Sequence, residues 1–251
     1  GVNSRFDGIR VGRRLGEHWK VSALGGAPVE LRYSDRIETG RFLYGVSLDA
    51  ERLFGHVDGQ IFAIQQHADG LLDRTGVGGE VRYADETRFA AAYLDYDILF
   101  GSLNTALLTG SWQVTSSTSL NLLVDHRNTP ILTSWNAIQG QPADRVGDLR
   151  GTWSDREIRR LAEDRTAKAT SVSVGGSQQL TERFQLAVDV SAASLGSTPA
   201  SGGVDAMEGT GWELAYYPQL VATGLFREGE VGTIGVRYFD GSDSSTTSLI
   251  V

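Results

Sequence analysis

The side chains that could act as nucleophiles, general bases or metal ligands are few, and their spacing suits none of those roles. The four histidines, His18, His56, His67 and His126, include no pair at the H-x-x-x-H spacing that brings two imidazoles to one helix face. Asp125, His126 and Arg127 stand side by side. Neighbouring residues of an extended strand point to opposite faces, so Asp125 and His126 cannot share a site without a bulge. The chain has no cysteine, which removes thiol nucleophiles, thiolate metal sites and disulfides. It has no G-x-S-x-G either. Gly76 to Gly79, G-V-G-G, lacks the rest of a phosphate-binding fingerprint and reads as a strand entry or bulge. The expectation is a protein that is not an enzyme and carries no cofactor or metal.

What the ionisable side chains do is alternate with apolar ones. In Phe184 to Ser191, Phe184, Leu186, Val188 and Val190 interleave with Gln185, Ala187, Asp189 and Ser191. A period of two puts the first set on one face of a strand and the second on the other. The same division recurs along the chain. Phe42, Tyr44, Val46 and Leu48 oppose Arg41, Ser47, Asp49 and Glu51, and Val81 and Tyr83 oppose Glu80 and Arg82. Leu94, Tyr96 and Ile98 oppose Asp95 and Asp97, and Leu120, Leu122 and Val124 oppose Asn121, Asp125 and Arg127. Arg237 opposes Val236 and Tyr238, and Glu213 joins the polar set. A polar face of this kind is either wet, with protein over the apolar face, or lines a lumen while the apolar face meets lipid.

The strands needed to carry these residues are legible in order. Arg5 to Gly12 and His18 to Gly25 form one pair, Arg41 to Leu53 and Val57 to His67 the next. Gly78 to Ala84 pairs with Arg88 to Asp97, Leu103 to Gln113 with Ser119 to Arg127, and Ala167 onward with Phe184 onward. Gly211 to Leu225 and Val231 to Phe239 follow, and Thr246 to Val251 begins one more strand. Every second connection is tight and the others are long, about forty residues between Arg127 and Ala167. Short turns at one end and long loops at the other mark an up-and-down transmembrane β-barrel. The predicted fold is therefore all-β, a single antiparallel barrel domain over residues 1–251 and a segment of a longer protein of about 12–16 strands.

Composition agrees with many short strands and frequent turns, with 31 Gly and only 5 Pro. No run approaches the ~20 apolar residues of a membrane-spanning helix. The net charge of −8 and the scatter of the arginines leave no basic face for nucleic acid. Trp19, Phe54, Phe89, Phe184 and Phe226 fall beside the short turns, where outward rings would mark a membrane boundary. Two strands fit poorly: Phe62 and Ile64 intrude on the polar face, calling for a plug packed against Phe62, and Pro218 removes a ladder donor, calling for a bulge. Within the long loop Ser154 to Arg165 carries a capping box, Ser154 with Glu157, and Ile158, Leu161 and Ala162 share one face. A short helix follows, either a constriction at the barrel mouth or a support for the loop. Arg159 with Glu163 and Arg160 with Asp164 are spaced to pair along it.

The turns R-L-G-E-H-W-K-V, D-E-T-R-F and Q-L-T-E-R-F-Q-L between alternating strands resemble those of the outer-membrane β-barrels of Gram-negative bacteria, over essentially the whole chain. More narrowly, the pattern is similar to the C-terminal barrel that follows tetratricopeptide repeats in exopolysaccharide-export proteins. The resemblance implies outer-membrane lipid around the barrel, a water-filled pore for a hydrophilic solute or polymer, and a periplasmic partner domain. Arg41, Asp49, Glu51, Glu80, Arg82, Asp95, Asp97, Asn121, Asp125, Arg127, Gln185, Asp189, Glu213 and Arg237 would line that pore, with acidic groups easing a polar or cationic polymer through. The alternatives are a barrel with a plugged lumen whose loops 128–166 and 196–209 bind a partner, and a soluble β-sandwich binding module.

Overall fold

A computed structural model describes residues 6–28, 40–227, 229–242 and 244–250. The expected start at Arg5 and most of the polar stretch before Gly40 lie outside the described residues. The described residues form one sheet of 13 strands in sequence order, each antiparallel to the next. The strands are β1 (Phe6–Leu15), β2 (Trp19–Pro28), β3 (Arg41–Leu53), β4 (Val57–Ala68), β5 (Leu71–Ala84), β6 (Arg88–Asp97) and β7 (Ser102–Thr115). They continue as β8 (Thr118–Thr129), β9 (Ala167–Gln179), β10 (Phe184–Leu195), β11 (Glu213–Thr223), β12 (Val231–Asp240) and β13 (Ser245–Ile250). The all-β, up-and-down expectation holds. Among the described residues β1 pairs only with β2 and β13 only with β12. An odd number of antiparallel strands leaves these two edges running in the same direction.

The alternation of the sequence becomes the two faces of this sheet, because directly opposed residues of neighbouring strands share a face. Ser22 opposes Ser47, Ser47 opposes Phe62, and Phe62 opposes Gly78. Gly78 opposes Asp95, Asp95 opposes Thr105, and Thr105 opposes Arg127. The other face carries Val46, Ile61, Leu94, Leu108, Leu122, Val174, Leu186, Val188 and Ile234, all exposed. Among the described residues no helix is long and apolar enough to cross a membrane.

Three connections expected to be long are short: two residues between β4 and β5, and four each between β6 and β7 and between β12 and β13. β5 begins at Leu71, not Gly78, and joins β4 through Asp69-Gly70 alone, with φ of 51° and 78° at the two turn residues. Positive φ at both positions is the type I′ turn that suits the right-handed twist of a hairpin. Gly76 to Gly79 consequently lies inside β5, not at a strand entry. Bulges occur at Ala50/Leu53, Gln66/His67, Asp95/Tyr96 and Gln113/Thr115. Pro218, where a bulge was expected, keeps its register: Tyr216 opposes Tyr238 and Gln219 opposes Gly235, with only the ladder between them interrupted. β12 tolerates the missing donor because Pro218 still pairs with Val188 on its other side.

The 37-residue step from β8 to β9 folds into two 3-10 turns, Ser134–Ile138 and Val146–Gly151, and the helix α1 (Asp155–Asp164). The capping box forms as expected: Ser154 Oγ accepts from the Glu157 amide, and Glu157 accepts from the Ser154 amide. Ile158, Leu161 and Ala162 are buried with Trp135, Val146 and Leu149, and the cluster takes in Ala68 and Leu71 at the tip of the β4–β5 hairpin. The pairs Arg159–Glu163 and Arg160–Asp164 do not close among the described residues. Arg150 instead pairs with Asp155 at 3.1 Å.

Candidate lumen and the loop assembly at its end

The register places every residue expected to line a pore on one face of the sheet. On β3 this face carries Arg41, Ser47 and Asp49, and within the bulge Glu51, whose carboxylate accepts from Arg14 at 2.6 Å. Glu80 and Arg82 oppose Tyr93 and Ala91, next to Asp95 and Asp97 on β6. Asn121, Asp125 and Arg127 oppose Gly175, Ser171 and Ala169 on β9. Gln185 and Asp189 oppose Val221 and Tyr217, Glu213 opposes Ala193, and Arg237 opposes Ser248. Phe89, expected to point outward, shares this polar face through its partner Ser111 and sits at the rim. A strand's last residue is bound by the same parity as its middle.

These residues belong to two unlike regions. Across β3 to β6 the face is built in storeys. At the short-turn end Arg10 reaches past β2 to Asp49 at 3.0 Å, Gln60 donates to the same carboxylate, and Arg82 pairs with Glu80 at 3.1 Å. With Lys20 and Asp58 they surround an open recess of about 510 Å³. The middle storey is apolar: Phe62 and Ile64 bury against Tyr93 and Leu107. No separate plug is needed, because Gly78 opposes Phe62 and a Cβ there would come within 2.6 Å of the ring. The third storey is ionic and buried. Arg74 binds Asp95 and lies 3.5 Å from Asp97, Tyr93 donates to Asp95 at 3.2 Å, and Arg41 stands 3.7 Å from Asp73, which also accepts from Gln66.

The loop assembly closes over this third storey. Asp73 accepts from the Trp135 amide at 2.8 Å, Ser134 donates to the Leu72 carbonyl at 3.1 Å, and the Arg41 guanidinium lies 4.3 Å from the centre of the Trp135 ring. Arg145 pairs with Asp69 in the type I′ turn. Asn104 on β7 holds the start of the assembly, accepting from the Leu132 amide at 2.9 Å and donating to its carbonyl. The loop therefore spans from β8 back to β5 across the polar face.

From β8 to β12 the same face is different. Small residues are frequent on it, among them Ser171, Ser173, Ser177, Ala187, Ser191 and Ala215, all half-buried, while Tyr217 and Phe239 stand toward β11 and β12. Asn121 and Asp189 reach across Gly175, where a Cβ would collide with both. Gln185 donates to Ser177 at 2.9 Å, and Arg127 pairs with Asp125 beside Glu213 in a recess of about 420 Å³. The acidic groups are thus balanced by arginines over much of the face, not left free in a row.

Arg10 and Arg14 were legible from R-V-G-R-R-L, and Lys20 from W-K-V-S, which alternate as the other strands do. Asp73 and Arg74 were not, because they fell in a stretch read as a connection. Outside the strands, the Asp85 carboxylate is held down to about 2 by the Tyr83 hydroxyl first and then by the Thr87 amide, which together lock the β5–β6 turn. Glu157 is likewise lowered, by the Ser154 hydroxyl and then its amide.

In comparison with known proteins the chain matches no family model, no curated protein and no solved structure.

Proposed function

We propose that this chain is the membrane-embedded part of a bacterial outer-membrane β-barrel that passes a hydrophilic solute, of which a polysaccharide is the narrower reading. The supporting observation is the division of the whole sheet into an exposed apolar face and an ionic, amide- and hydroxyl-bearing face. An apolar surface running over thirteen strands far exceeds the few hundred Å² that soluble monomers leave bare. Lipid is the medium that covers such a surface, while β2 to β12 satisfy their backbone groups against a strand on either side. The solute path runs along β8 to β10, where small side chains are most frequent on the polar face. Purified chain inserted into planar bilayers should give steady ohmic current steps, and inserted protein that stays silent would refute a conducting path.

A second reading has its own observation. The buried storeys of β3 to β6 and the loop assembly above them fit a barrel whose lumen is filled and whose loops bind a partner. Under it, deleting residues 134–164 opens conductance that the intact chain lacks; under the first, the intact chain already conducts.

A further inference from the structure

Arg165 follows α1 at the end of the loop assembly, and its side chain is only 7% exposed. None of its three guanidinium nitrogens has a hydrogen-bond partner among the described residues. A lysine or carboxylate so placed could shed its charge, but a guanidinium stays protonated at any pH a protein meets. Burial pulls its pKa down and the adjacent Asp164 opposes this, without making a hydrogen bond. An isolated buried charge is too costly to keep unless something pairs with it.

The chain opposite Arg165 approaches it closely. The β10–β11 connection contains a miniature hairpin, Thr198 bridged to Met207 and Ser201 to Val204, turning at Gly202 and Gly203 with φ of 52° and 81°. A Cβ at Gly202 would stand 2.8 Å from Arg165 Nη2 and 2.8 Å from Leu161. Gln141 donates to the Gly202 carbonyl, fixing the hairpin tip against the assembly. Ser201 Oγ, next in the chain, is itself buried and unpartnered. A forked guanidinium and a hydroxyl donor, both enclosed at one junction, are what a planar or tetrahedral oxyanion takes up.

We propose that Arg165 and Ser201 form a binding site for one oxyanion, a carboxylate or phosphate group, between the β8–β9 and β10–β11 loops. The site ties the two long loops together and does not depend on a conducting lumen. The test is the melting temperature of the full chain in detergent, titrated with sodium phosphate and, separately, sodium glucuronate at constant ionic strength. A saturable rise is expected with at least one of them. Glucuronate alone points to an acidic sugar, phosphate alone to a phosphate group, and both to any oxyanion. Ser201→Ala should weaken the response about tenfold and Arg165→Met should abolish it, while Arg156→Gln, exposed on the same helix, should leave it intact. If Arg165→Met fails to fold, Arg165→Lys, which keeps the charge and loses the fork, should bind about tenfold more weakly. A wild-type chain that responds to neither anion overturns the proposal. So does a response that appears only in Glu30→Gln/Asp35→Asn/Glu38→Gln, since the chain's own carboxylates would then be the partner.

Discussion

The polar faces of β3–β6 and of β8–β12 begin from the same alternation and end in opposite states. In the first, large side chains stand opposite glycines, Phe62 over Gly78 and Ile64 over Gly76, so the wall fills its own interior. In the second, small residues face one another on β9 and β10, Ser173 with Ser191 and Ala187 with Ser177, and larger side chains such as Tyr217 and Phe239 stand on β11 and β12. Polarity alone therefore does not make a channel. Side-chain volume decides whether a polar face is packed or passable.

The contrast is broken most severely at the buried ionic storey. Asp95→Ala removes the carboxylate bound to the buried Arg74 guanidinium and leaves Asp97 at 3.5 Å beside it, and should cost about 3–5 kcal/mol. Asp189→Ala on the open region should cost less than about 0.5 kcal/mol. Urea unfolding in detergent micelles reads both. Next come the outward positions: Leu186→Arg or Val188→Arg should cost about 2–4 kcal/mol near mid-membrane, seen as lost heat-modifiable migration on a denaturing gel. If these variants and Asp189→Asn behaved alike, the assignment of faces would fail. Gly78→Ala should cost about 1–3 kcal/mol by pushing Phe62 from its place, and Phe62→Leu in the same chain should recover part of it. Asp189→Asn should leave stability alone and reduce the cation preference of any current.

The smallest effect is local to the β5–β6 turn. Asp85 titrates at about 2, below the ordinary 3.8 of an aspartate, so its contribution to the turn is complete above 3.8 and fades as pH falls toward 2. Amide exchange at Thr87 and Arg88 should quicken across that window in the natural chain and show no such step in Asp85→Asn.

Most of this architecture was readable because a period of two survives wherever strands are regular. It failed where the period slips. The bulge at Gln66/His67 makes Asp73 an extra residue beside Arg74, so L-L-D-R-T-G looked like a connection. Asp69-Gly70 between apolar runs was the signal that would have found the hairpin. The loop assembly left no such trace, since Trp135 meets Asp73 across 62 residues and no local pattern encodes that contact. Arg165 was equally hidden: in sequence it is one more arginine at a helix end, and only the folded hairpin at Gly202 makes it solitary.

The fastening of Trp135 to Asp73 has a mechanical consequence. β8 and β5 are separated by two strands, about 14 Å of sheet measured along its arc. A segment rooted at one and bolted to the other is a chord, and a chord shorter than its arc fixes how sharply the arc bends. The loop thus limits how far the wall beneath it can flatten.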